Sequence, residues 1–299
     1  MRASAFSPAH ITGFFEIYDK ASHPLYIGSR GAGVSISRGV FTRVRVEPHH
    51  KPSYTIKING QPTEQAYVSQ EVLKEYFRLS GRSCLIHVEH EVSVPIGSGF
   101  GSSGAGALSL SLALNEALGL NLSTIEAAQI AHIAEVRCST GLGTVAAEAI
   151  GGLEVRLKPG APGVGVVRKI PVGEGYRVLC LHFGPISTRR ALCEPSYRDR
   201  INGVGGRLLG GLIRNPSIDE FLHLSRRFAE SVGIMSGRLR GVLRELDQLG
   251  FTCSMAMFGE SVFTVVEDGS AKELLKILHR YGGRVFSAQI DEGGARLVE

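Results

Sequence analysis

The chain has 299 residues, 43% of them hydrophobic, enough to build a full core in one large or two ordinary domains. Its net charge of +5 comes from scattered arginines, and the densest stretch, 189–244, has no interleaved aromatic platform of the kind nucleic-acid binders use; this argues against a nucleic-acid partner and for an anionic small substrate. No apolar run approaches the length of a bilayer span and the polar N-terminus is unlike a signal peptide, so no membrane association and a cytoplasmic location are expected.

Cys84, Cys138, Cys180, Cys193 and Cys253 are odd in number, widely spaced and never in a Cys-x-x-Cys pair, the pattern of free thiols. The 38 glycines follow neither a collagen triplet nor a low-complexity run and must serve local backbone needs. No internal repeat stands out.

In chain order, β-rich runs are predicted at 42–46, 54–58 and 84–94, and an amphipathic helix at 68–79. Helices follow at 102–118, rich in Ala and Leu, and at 124–136, where Ser123 and Glu126 form a capping box. A glycine-punctuated loop spans 138–143. After Gly151 and Gly152 a strand at 153–157 ends in the turn Lys158-Pro159-Gly160. The texture changes at 171–175, which divides the chain into residues 1–173 and 174–299. The second part reads as a strand at 177–183, helices at 218–232 and 238–249, strands at 251–257 and 261–266, a helix at 271–281 and a strand at 284–289. The fold class is therefore α+β.

The strongest local signal is the segment from Pro95 through Gly97, Ser98, Gly99, Gly101, Ser102, Ser103 and Gly104, lying between a strand and a helix. Glycines let the backbone approach a ligand closely, and the free N–H groups and dipole of a helix start favour phosphate oxygens. One of the two serines is expected to cap the helix and the other to reach a metal or phosphate. A Walker A motif is absent, because no lysine follows Gly101. The glycine spacing satisfies a dinucleotide fingerprint, yet a helix rather than a strand ending in an acid follows, leaving a Rossmann dehydrogenase as the second reading.

This segment resembles the second motif of the GHMP kinases, Pro-x-x-x-Gly-Leu-Gly-Ser-Ser-Ala, with Phe100 in place of Leu and Gly104 in place of Ala. Residues 7–16 resemble the family's N-terminal motif, with His10 where some members carry lysine, and residues 254–265 resemble its C-terminal glycine-rich motif. Segments 140–143, 184–188 and 254–265 look like the archaeal branch that phosphorylates (R)-pantoate. The resemblance implies a two-domain GHMP kinase fold, with a ribosomal-protein-S5-like N-terminal domain, a ferredoxin-like C-terminal domain and a site in the cleft between them. It also implies ATP and Mg²⁺, with pantoate converted to 4-phosphopantoate for coenzyme A synthesis. Mevalonate or homoserine as acceptor, and a nucleotide-binding regulator without catalysis, are the alternatives. A homodimer is one assembly the sequence allows.

By the same resemblance Ser103 and Glu135 are the metal- and phosphate-holding pair, a hard carboxylate oxygen being what Mg²⁺ takes beside a triphosphate. His132 lies three residues before Glu135 on the same helix face, so it shares the site if Glu135 faces it; otherwise it is a structural histidine. In the strand at 153–157, Arg156 falls on the polar face with Glu154 and Lys158, either solvated or placed to grip a substrate carboxylate. Ser29 and His10 complete the expected acceptor-binding set. Thr144 stands seven residues before Gly151, where many members of the family place an aspartate that orients or deprotonates the acceptor hydroxyl. Threonine cannot be that base, so slow turnover is expected unless Glu148 or His10 substitutes.

Overall fold

In the computed structural model, which describes residues 1–186 and 195–299, two strands far longer than the usual five or six residues set the frame. They are β1, Arg2–Tyr18, and β2, Gly28–Pro48, paired antiparallel from Arg2↔Arg45 to Tyr18↔Gly28. The register shifts at Pro8/Ala9 and again at Thr12/Phe14. Shifts of this kind bend a strand and re-aim its side chains, and here they fall on either side of His10.

Strands β3 (Ser53–Ile58), β4 (Gln61–Pro62) and β5 (Cys84–Val92) extend this first sheet beyond β2, whose other half pairs with β6 (Leu153–Lys158), itself bound to β7 (Val166–Ile170). Three helices cover it: α1 (Tyr67–Ser80), α2 (Ser102–Leu118) and α3 (Thr124–Cys138). Helix α2 is apolar on nearly all sides because it is enclosed on all sides, with Leu108, Leu110 and Leu114 buried against α1, α3 and the sheet. The Ser123/Glu126 capping box starts α3 as its sequence dictates. A short helix, α4 (Thr144–Ile150), then leads into β6.

The second half forms an antiparallel sheet in the order β11 (Arg284–Gln289), β8 (Tyr176–Pro185), β10 (Gly259–Glu267), β9 (Ser254–Met255). Helices α5 (Pro195–Arg214), α6 (Ile218–Val232), α7 (Gly237–Gln248) and α8 (Asp268–Leu278) accompany it. Phe14 and Phe15 of β1 lie 6.4 and 5.6 Å from the Phe228 ring of α6, so one apolar core runs from the first sheet into the second half. The last strand, β12 (Arg296–Val298), returns to pair with β1.

The predicted helices at 102–118 and 218–232 and the strand at 284–289 match the structure end for end. Other elements differ. The strand expected at 251–257 is reduced to Ser254–Met255, the helix expected at 271–281 begins at Asp268 and ends in a 3-10 turn, Cys138 completes α3 rather than opening a loop, and β1 and α5 were not anticipated. Cys84, Cys138, Cys180 and Cys253 are free thiols; Cys193, Ser187, Thr188 and Arg189 lie outside the described residues. Among the described residues no helix is long and apolar enough to cross a membrane.

The two halves interlock where the segment before α2 meets the 256–259 turn. Gly99 has φ +83°, and a Cβ there would lie 2.7 Å from the Met257 carbonyl oxygen; a Cβ on Gly259 would fall on the Ser98 carbonyl oxygen. Backbone meets backbone on both sides. Ser261 Oγ donates to the Ser98 carbonyl at 3.1 Å, and His182 Nδ1 lies 3.0 Å from the same hydroxyl. Gly259→Ala should therefore lower the unfolding free energy by about 1–3 kcal/mol, the ordinary cost of overpacking, measured by urea denaturation. An unchanged midpoint would contradict this account of the interlock.

Candidate active site

Helix α2 starts with Gly101 at the N-cap position in the left-handed region, φ 64°, and no side chain caps it. Neither Ser102 nor Ser103 serves as the expected cap, because both lie inside the first turn. The first-turn N–H groups of a helix have no intrahelical acceptor and carry the positive end of its dipole. They open onto a cavity of about 430 Å³ lined along one wall by Ile96 to Ser103. The Phe100 ring is buried, 5.3 Å from the Phe286 ring, which pins the segment to the second sheet.

Beneath this helix start lie two buried carboxylates. Glu135, near the end of α3, accepts a 2.6 Å hydrogen bond from Thr140 Oγ1 and has the Ser103 hydroxyl beside it. Burial raises its pKa, and those two hydroxyls oppose the rise. Glu148, in α4, is fully buried with neither carboxylate oxygen hydrogen-bonded, and burial together with the charge of Glu135 raises its pKa well above the usual range. A Cβ built on Gly104 would lie 2.8 Å from Glu148 Oε2 and 3.5 Å from Glu135 Oε2, so both carboxylates reach the same residue of the first turn. An all-oxygen donor set of two carboxylates and neighbouring hydroxyls is what a hard divalent cation takes. The site thus fits Mg²⁺, and the uncapped helix start fits the phosphates of a nucleotide.

The facing wall is built on β6. Its register sets Arg156 opposite Gly31 and Glu154 opposite Gly33, whose missing side chain leaves room for the His10 ring. Glu154 Oε1 accepts from Arg156 Nη1 at 2.5 Å and from His10 Nε2 at 2.9 Å. Burial holds His10 below its ordinary pKa; Glu154 opposes that shift and Arg156 adds to it, while Thr12 Oγ1 lies 3.3 Å from His10 Nδ1. Arg156 is only 2% exposed yet lines the cavity, and its buried Nε has no hydrogen-bond partner. The solvated alternative for Arg156 is thereby removed. Ser29 converges with it: a Cβ on Gly143 would meet both the Ser29 hydroxyl and Arg156 Nε.

Of the residues singled out in the sequence, His10, Ser29, Gly97, Ser98, Gly99, Gly101, Ser102, Ser103, Thr144 and Arg156 line the cavity together. Pro95, Gly104, Glu135 and Glu148 are buried behind the lining. Glu148 therefore does not face an acceptor hydroxyl, and both ring nitrogens of His10 are engaged. His132 is buried outside the lining, with Nε2 3.0 Å from the Ile27 carbonyl and 3.2 Å from that of Pro24, so it fastens the chain just before Ser29. Sequence reasoning missed Glu154, read as part of a polar strand face, and also Tyr67, Thr12, Phe15 and Phe258 of the lining. Phe258 carries φ 66°, a conformation a bulky residue adopts only where surrounding structure holds it.

Comparison with known proteins identifies the family. The family models "GHMP kinases N terminal domain" and "GHMP kinases C terminal" match residues 66–152 and 211–284. The chain is 36% identical over 288 residues to a pantoate kinase of Thermococcus kodakarensis, covering 93% of this chain and 92% of that one. It is 33% identical over 273 residues to a pantoate kinase of Methanocaldococcus jannaschii, covering 91% and 96%. A solved phosphotransferase related to the CoA biosynthesis pathway superposes with a TM-score of 0.91 at 32% identity over 100% of this chain and 99% of that one. The chain belongs to the GHMP kinase family, a small-molecule kinase of the group formed by the pantoate kinases.

Proposed function

We propose that this chain transfers the terminal phosphoryl group of ATP to a hydroxyl of (R)-pantoate, giving 4-phosphopantoate for coenzyme A synthesis. The observation that carries the reading is one cavity with two complementary walls: an uncapped helix start for phosphates and a buried arginine with an unpaired Nε for a carboxylate. Phosphoryl transfer asks little covalent chemistry of a protein and much positioning. In this reading residues 1–173 bind the nucleotide and residues 174–299 complete the cleft.

The first-turn N–H groups of α2 and the hydroxyls of Ser102 and Ser103 receive the β- and γ-phosphates, where donors aimed at developing charge count most. Glu135 and Ser103 would hold Mg²⁺, which would neutralise charge on the phosphates. Arg156, fixed by Glu154, receives the acceptor's carboxylate, and Ser29 its neighbouring oxygen. Thr144 forms the wall between the two ends. Its hydroxyl orients an acceptor but does not take a proton at neutral pH, and a loose transition state tolerates that.

Purified protein assayed for ADP release with pantoate, mevalonate, homoserine and shikimate in parallel should turn over pantoate preferentially and only with Mg²⁺. Equal or faster turnover of another acceptor would overturn the substrate assignment. Thr144→Asp, assayed at saturating substrates, should raise kcat by up to the roughly 10²- to 10⁴-fold that a positioned base supplies, with little change in KM. An unchanged or lower kcat would show that the wild-type site already operates without this carboxylate.

A further inference from the structure

We propose that Glu148 is a second carboxylate ligand of the divalent cation at the start of α2, so that this chain takes up the cation before nucleotide. The inference rests on the reading of that helix start as the phosphate and cation site, and it adds a ligand which the resemblance to other kinases does not supply.

Three observations converge on Glu148. Both of its carboxylate oxygens are buried without a hydrogen-bond partner. Its Oε1 lies against Gly101 and its Oε2 against Gly104, the two ends of the first turn of α2, and Glu135 Oε2 also reaches Gly104. Among the described residues, Glu135 is the one charged group that acts on it, and that charge is of the same sign. A buried ionised carboxylate with no partner is costly. Neutralising it with a proton would remove the charge but leave an O–H donor equally unbonded. A divalent cation between Glu148 and Glu135 satisfies both carboxylates at once.

The local sequence is adapted to this arrangement. Gly104 stands where the resembling motif has alanine, and a methyl group there would press on Glu148 Oε2. Thr144, one turn before Glu148 on α4, lines the cavity without an acid, whereas Glu148 lies behind the lining. The carboxylate is thus placed to bind a cation rather than to face an acceptor hydroxyl. Mg²⁺ held by a single carboxylate depends on substrate phosphates for the rest of its shell, whereas two carboxylates with the Ser103 and Thr140 hydroxyls bind it in the free protein.

The test is Mn²⁺ binding to nucleotide-free protein, followed by electron paramagnetic resonance, with thermal melts as the control for folding. Wild type should bind one Mn²⁺, and Glu148→Gln should weaken binding by at least about tenfold, the lower end of what even an outer partner of a metal ligand costs. Mg²⁺ should raise the melting temperature of wild type but not of Glu148→Gln. Gly104→Ala, which crowds Glu148 without altering charge, should weaken Mn²⁺ as well, and it serves as the test if Glu148→Gln does not fold. Mn²⁺ affinity equal to wild type in Glu148→Gln, alongside its loss in Glu135→Gln, would overturn the role of Glu148 and leave the cation site standing. Absence of Mn²⁺ binding to nucleotide-free wild type would overturn the proposal, while the kinase reading continues to rest on ADP release.

Discussion

A helix that begins in the interior without a side-chain cap leaves N–H groups and the positive end of its dipole to be satisfied from outside the helix. Helix α2 begins in this way, at a glycine in the left-handed region, and much of the surrounding structure holds that start in place. The His10 N–H donates to the Phe100 carbonyl at 3.1 Å, Phe100 is buried against the second sheet, and the 256–259 turn packs on Gly99. Two halves of the chain are thereby joined at the point where phosphate is to be received. The carboxylates of Glu135 and Glu148 lie behind the same turn, where a cation can bridge protein and phosphate.

The opposite wall depends on Glu154. Its one bonded oxygen fixes both Arg156 and His10, so the guanidinium is held in a buried position where an arginine alone would be costly. Removing one partner of such a buried pair typically costs about 3–5 kcal/mol, which makes Glu154 a positioning residue for the whole wall. The ion pair also tempers the charge of Arg156. What remains directed at the cavity is a planar donor with geometry suited to a carboxylate, alongside a histidine whose pKa burial lowers.

Much of this was legible in the sequence where local chemistry and tertiary role agree. The Ala/Leu run of α2, the Ser123/Glu126 box of α3 and the amphipathic pattern of α6 each specify one element without competition. Strand β1 was not legible, because Pro8 and Gly13 interrupt it and two register shifts spoil its alternation. Helix α5 was hidden by five glycines, each unfavourable by about 1 kcal/mol in a helix interior. Two of them are explained by packing: a Cβ on Gly205 would collide with the Phe15 carbonyl, and one on Gly206 would crowd the Glu16 carboxylate. The cavity residues of the phosphate wall were readable from their glycine and serine spacing. Glu154 was not, since alternation alone put it on a polar face with Lys158, and alternation does not show that this end of β6, paired with β2 on one side and β7 on the other, is buried.

The most direct measurement of the central claim is a crystal structure of the protein with Mg²⁺, a non-hydrolysable ATP analogue and pantoate. The account predicts β- and γ-phosphate oxygens within hydrogen-bond distance of backbone N–H groups in the first turn of α2, and the pantoate carboxylate on Arg156 beside Ser29. A triphosphate bound away from that turn, or a pantoate carboxylate held by another group with Arg156 still facing Glu154 alone, would contradict it.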